Sequence, residues 1–212
     1  MPILPLRKIT TNTTVGFWKI TETEEELLHL YTPEAHELHF FEKFKAEKRL
    51  HFLASRVLLN TMKPEVKVAK DSFGKPYFVH SNARMSWSHS GGYAAVIICE
   101  NAETGIDIEH YSDRITRIKH KFINPTDAKS LTEYGGNFKE LLLIWGAKES
   151  MFKYYGKKEV DFKQHLSVLP FMLKDNDTLL AKVHHPKMNA SLKLGYDFFD
   201  DHVAVWIEEE LE

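Results

Sequence analysis

Apolar residues recur along this chain with two different periods, and the switches between them mark out its elements. Residues 14–20 read as a strand, and Thr23 followed by Glu26 forms a capping-box pattern that opens a helix toward Tyr31. A second helical region begins at Pro33. It runs from about 35 to 62 with room for a break, and Phe52, Leu53, Val57 and Leu58 give its later part an apolar stripe beside Lys48, Arg49 and Arg56. Residues 66–68 suit a short strand. Asp71-Ser72-Phe73-Gly74 is a turn, and Lys75-Pro76 leads from it into a further strand over 77–79. Two strands at 84–87 and 93–99 are joined by Ser88-His89-Ser90-Gly91-Gly92, which predicts a hairpin with its histidine near the bend.

The next strand is Gly105-Ile106-Asp107-Ile108-Glu109-His110. Its alternation sends Asp107 and Glu109 to one face and Ile106 and Ile108 to the other. A helix over about 127–134, capped by Thr126 or Asn124, is expected to end at Gly135-Gly136-Asn137. The longest helix follows over 138–155, with Gly156 as its C-cap. The remaining sequence alternates over 190–196 and 203–207 around a turn at Asp197-Phe198-Phe199-Asp200-Asp201. Helices and meandering strands without regular strand-helix-strand alternation predict an α+β fold, and no internal repeat is visible.

The 212 residues suffice for one domain or two small ones. With 43% hydrophobic and 27% charged residues and no biased stretch, disordered and fibrous classes are excluded. A net charge of -2 argues against wholesale nucleic-acid binding, so a basic footprint must be local. Arg114, Arg117, Lys119, His120 and Lys121 form one such cluster, which by itself reads first as a solvated helix face. The single cysteine, Cys99, lies in an apolar run and reads as a core residue. Residues 1–8 show no signal-peptide pattern and no apolar run approaches a bilayer-spanning length, so no membrane partner and a cytoplasmic location are expected.

Glu149 sits on the long helix with Trp145 four residues before it, Phe152 three after and Lys153 four after, so its charge needs compensation by a cation or by Lys153. Asp107, Glu109 and Glu149 together are an oxygen-only donor set suited to Mg²⁺. A zinc site lacks support, because the 12 histidines show no H-E-x-x-H pattern and no cysteine cluster accompanies them. His36, His39, His184 and His185 read as surface or core residues. A serine hydrolase using Ser88 or Ser90, His89 and Asp107 lacks a G-x-S-x-G elbow, and neither Gly91-Gly92 nor Gly135-Gly136 matches a phosphate-loop pattern. A nucleotide would then be held by basic side chains, for which Arg56, Lys75, Lys48 and Arg49 are candidates.

Four motifs stand in order: Gly74-Lys75-Pro76, Ser88-His89-Ser90, Gly105 to Glu109, and Trp145 with Lys148-Glu149 and Lys153. In this the sequence resembles the Sfp-type 4′-phosphopantetheinyl transferases over about residues 47–156. The resemblance implies two similar halves related by a pseudo-twofold axis, 1–103 and 104–212, with coenzyme A in the cleft between them. It implies Mg²⁺ held by Asp107, Glu109 and Glu149, and Lys153 neutralising the pyrophosphate. Ser88 and His89 would contact phosphates, and Arg56 and Lys75 would hold the 3′-phosphate and its surroundings, with Lys48 or Arg49 assisting. The activity implied is transfer of the 4′-phosphopantetheine arm to a serine of an apo acyl carrier protein, releasing 3′,5′-ADP, with Glu149 or Asp127 as the base. An acidic carrier would dock near Arg114 to Lys121. A two-half chain needs no trimer interface to complete its cleft, so a monomer is expected. The alternatives are a non-catalytic coenzyme A-binding module and another Mg²⁺-dependent phosphoryl enzyme.

Overall fold

A computed structural model describes residues 5–131 and 136–211. The expectations for Met1 to Leu4, Tyr134 and Gly135 lie outside these residues. The N-terminal part contains strands β1 (Arg7–Lys8) and β2 (Thr13–Lys19), then helices α1 (Glu24–Leu30), α2 (Ala35–Phe41) and α3 (Ala46–Met62). Strands β3 (Val68–Lys70), β4 (Pro76–Phe78), β5 (Arg84–Ser90) and β6 (Tyr93–Cys99) follow. The Thr23–Glu26 capping box is present, and the anticipated break in the second helical region separates α2 from α3. The C-terminal part contains β7 (Ile106–His110), α4 (Arg114–Ile118), α5 (Phe138–Tyr155), β8 (Leu166–Val168), β9 (Asn176–His185), β10 (Met188–Phe199) and β11 (His202–Leu211).

Two antiparallel sheets, ordered β1-β2-β6-β5 and β7-β11-β10-β9-β8, organise the molecule, and a separate β3-β4 pair flanks them. Strand parity explains their stacking. On β2 and β6, Trp18, Ala94, Val96 and Ile98 join Leu53, Ala54, Val57 and Leu58 of α3 in one core. The alternate residues Val15, Phe17, Ala95 and Ile97 face the second sheet, where they meet Ile106, Ile108, Ala204 and Trp206. The other face of that sheet, including Val203 and Val205, packs on Leu143, Ile144, Ala147 and Met151 of α5. The layers therefore run α3, sheet, sheet, α5, which is an α+β architecture. β6 lies between two layers, which is why all seven of its residues are buried, Cys99 included.

Several expectations change. Ser88, His89 and Ser90 belong to β5 itself, and the hairpin bends at Gly91-Gly92, where Gly91 takes a positive φ of 52°. The segment expected as a helix over 127–134 is a 3-10 turn at Asp127–Ser130 among the described residues, held by Asn124 rather than capped by Thr126. β8 and β9 were not predicted, although Leu179, Ala181, Val183 and His185 alternate with more exposed neighbours in β9. Among the described residues no helix is long and apolar enough to cross a membrane.

Candidate functional site

β7 delivers the expected split: Ile106 and Ile108 enter the core between the sheets, while Asp107 and Glu109 turn toward α5. The helix can come close because two glycines leave room. A side chain on Gly105 would overlap the Ser150 carbonyl, and a Cβ on Gly146 would lie 3.1 Å from Val205 Cγ2 and 3.8 Å from Asp107 Oδ2. Asp107 is 4% exposed. Its Oδ1 accepts from Ser88 Oγ at 2.8 Å and from Lys153 Nζ at 2.7 Å, and Lys153 also donates to the Ile106 carbonyl at 3.0 Å. Its other oxygen, Oδ2, is buried without a hydrogen-bond partner.

The neighbouring carboxyls feel this charge. Burial first, and the Asp107 charge next, push Glu149 up to about 7 against the opposing pull of Lys153. Burial and then Asp107 likewise push Glu109 up to about 7, opposed mainly by its hydrogen bond from Trp145 Nε1 at 2.8 Å. Among the described residues no group of three His, Cys, Asp or Glu side chains closes tightly enough to cage a metal ion. The donor chemistry nonetheless fits Mg²⁺, which takes one or two carboxylates and completes its shell with water and substrate phosphates. An orphaned buried carboxylate oxygen between two suppressed carboxyls is what such a cation would relieve.

The basic residues separate into different roles. Arg56 is buried, paired with Glu37 Oε1 at 2.9 Å and placed 4.4 Å from the Phe52 ring centre and 4.1 Å from that of Trp87. Lys48 lies 4.2 Å over Phe44 and lines a cavity of about 350 Å³ with Arg56, Lys70, Trp87 and His89. Arg49 turns to Glu24 and the Phe44 carbonyl, so the structure brings Lys48, and not Arg49, to this cavity. His89 stacks on His51 with ring centres 4.4 Å apart. Packing around the imidazole removes part of its hydration, and His51 and Lys153 add positive charge, so its pKa falls below the usual imidazole value although the residue as a whole is exposed. Lys75 donates to Glu103 and to the Tyr154 carbonyl, both at 2.6 Å. Lys75 and Arg56 thus already carry anionic partners, so the simple assignment of both as free phosphate ligands does not follow.

Asp127 is not brought to the cluster. It is fully buried and accepts from Lys148 Nζ at 2.5 Å, from the Asn124 amide and from the Val168 amide. Lys148, also fully buried, donates in addition to the Phe122 and Phe162 carbonyls, so this pair locks the chain beside α5. Arg114, Arg117, His120 and Lys121 are exposed, while Ile115 anchors α4 in the core. Arg114 also rims a cavity of about 460 Å³ that reaches Glu109 and Trp145. A third cavity, of about 220 Å³, lies along Gly74, Pro76, Trp87 and Lys153. Sequence reasoning missed Trp87, Lys70 and His51. The strand parity of Met85, Trp87 and His89 was the available signal for the first, whereas Lys70 and His51 reach the site only through tertiary packing.

No curated protein matches this sequence. The model of the 4′-phosphopantetheinyl transferase superfamily matches residues 103–204, a span that includes Asp107, Glu109, Glu149 and Lys153. The carboxylate-lysine cluster lies wholly inside the matched span, and over residues 103–204 the chain is similar to the 4′-phosphopantetheinyl transferase superfamily.

Proposed function

We propose that the protein transfers the 4′-phosphopantetheine arm of coenzyme A to a serine of an apo acyl or peptidyl carrier protein, with Mg²⁺ and with release of 3′,5′-ADP. The observation that carries this reading is the Asp107 carboxylate. One of its oxygens is fixed by Ser88 and Lys153, and the other is buried and unpartnered. Cavities suited to different parts of the substrate surround it. The small cavity with Phe73, Trp87 and Phe152 in its wall suits adenosine, and the one with Lys48, Lys70 and His89 suits the 3′-phosphate. The cavity at Trp145 and Arg114 suits the pantetheine arm and the mouth at which a carrier serine arrives. In this reading the cleft lies between residues 1–103 and 104–212.

Asp107, Glu109 and Glu149 would hold Mg²⁺, which supplies charge neutralisation at the pyrophosphate. Lys153, anchored on Asp107 and the Ile106 carbonyl, presents its ammonium to the same phosphates. Ser88 does not reach out to substrate: it donates to Asp107 and orients it. Glu149, carried by α5 beside Asp107 and Lys153, is the carboxylate we assign to accept the serine proton. The serine oxygen forms a bond to the β-phosphorus as the bond from that phosphorus to the bridging oxygen breaks, and 3′,5′-ADP departs. Asp127 has no part in this, because each of its oxygens is already engaged in the Lys148 lock. An acidic carrier would meet the exposed basic face at Arg114, Arg117, His120 and Lys121.

The test is to incubate the protein with coenzyme A, Mg²⁺ and a panel of apo carrier proteins, and to weigh the carriers. A gain of one phosphopantetheine that disappears with EDTA is expected. No gain on any carrier overturns the proposal.

A further inference from the structure

Glu103 lies in the connection between β6 and β7 and binds two cations at once. Its Oε2 accepts from Lys75 Nζ at 2.6 Å and its Oε1 from Arg84 Nε at 2.7 Å. Each partner reaches a different element. Arg84 begins β5, the strand of Ser88. Lys75 donates a second bond to the Tyr154 carbonyl at 2.6 Å, in the last turn of α5 and directly after Lys153. A cation there also favours the negative end of the helix.

The lysine is held from both ends. Its backbone amide donates to Asp71 Oδ1 at 2.9 Å and its carbonyl accepts from the Asp71 amide at 3.0 Å, inside the turn that Gly74 closes with φ 91°. Its stem crosses the C-cap of α5, where Gly156 has φ 70° and any side chain would overlap Lys75 Cδ. The conformation at 156 favours glycine, and a side chain there would push the Lys75 stem off its path. The ion network joins the strand of Ser88, the approach to the strand of Asp107, and the helix of Glu149 and Lys153.

We propose that Glu103 is a positioning residue: acting through Lys75, it fixes the C-terminal turn of α5 so that Lys153 and Glu149 meet Asp107 in register. The catalytic part of this rests on the transferase reading above. Lys75 so engaged is a strut between elements, with two of its three ammonium donors committed to Glu103 and the Tyr154 carbonyl.

The experiment compares wild type, Glu103→Gln and Glu103→Asp by hydrogen exchange of the 153–156 amides and by steady-state transfer. Loss of the anion should speed exchange in that turn several-fold and lower kcat about tenfold, with KM for coenzyme A within about twofold. Glu103→Asp, which keeps the charge, should recover much of both. If Glu103 instead merely competes for a phosphate-binding Lys75, Glu103→Gln lowers KM and leaves kcat unchanged, which overturns the proposal. Unaltered exchange at 153–156 overturns it as well, whatever the activity. Wild type that transfers nothing refutes the transferase reading, while the exchange comparison still decides whether the strut exists.

Discussion

Asp107 shows how one side chain can be half satisfied by design. Ser88 and Lys153 hold Oδ1, so the carboxylate cannot rotate its other oxygen toward them, and Oδ2 stays buried and unpaired. Leaving such an atom without a partner costs about 1–3 kcal/mol, and more for a charged group. Asp107→Asn keeps an oxygen for Ser88 and Lys153 but removes the charge that attracts a cation. We expect its midpoint of heat unfolding without ligands to stay close to wild type, while protection by coenzyme A with Mg²⁺ disappears and transfer falls by about a thousandfold or more. Retained Mg²⁺-dependent protection in this variant would remove Asp107 from the cation site. At this scale the sequence was partly legible. The strand period alone placed Asp107 and Glu109 on one face, but nothing local revealed that Asp127 is sealed against Lys148, because that pair closes across 21 residues of chain.

At the scale of elements, the site depends on how near α5 lies to β7. Gly105 sets that distance, since its missing side chain is where the Ser150 carbonyl sits, and Ser150 Oγ ties the same turn of helix to the Val205 carbonyl at 2.8 Å. Gly105→Ala should force the strand and helix apart, destabilising the fold by about 1–3 kcal/mol in urea titration and lowering kcat more than it raises KM for coenzyme A. A variant of wild-type stability and rate would show that the helix yields freely here. The extent of the helix was readable from its period over 18 residues and from Gly156 as its C-cap, whereas Asn137, read as the end of a preceding helix, proves to open this one in a capping box with Glu140. The Ser88-His89-Ser90 segment was misplaced at the bend for a physical reason. Its small polar residues look like a turn, yet Ser88 and Ser90 are polar because they serve Asp107 and the His110 amide from within a strand.

Across the whole molecule, the two sheets share a core of Phe17, Ile97, Ile106, Ala204 and Trp206, and histidines line the edge of this seam near Gly91. His202 is 2% exposed, its Nε2 is 3.1 Å from the Ser90 carbonyl, and Tyr93, His110 and Phe199 pack around its ring. Its Nδ1 lies 2.7 Å from Asp201 Oδ1 without the alignment of a hydrogen bond. Burial pushes its pKa down, and His110 adds to this, while Asp201 and the Ser90 carbonyl pull the other way without reversing it. A histidine kept neutral in the fold costs stability once the unfolded chain can bind a proton, so its penalty begins as pH falls through about 6.5 and grows until the folded pKa is passed. His89 acts in the same direction, whereas Glu109 and Glu149, raised to about 7, favour the fold as pH falls from there toward about 4.5. The wild-type profile is the balance of these, so the seam must be read by difference. His202→Gln, which can still donate to the Ser90 carbonyl, should lose less stability than wild type between pH 6.5 and 5 in parallel urea titrations. The gap should approach about 1.4 kcal/mol for each unit by which burial lowers the histidine. Identical pH slopes for the two proteins would mean that His202 takes up its proton without opening the seam between the sheets.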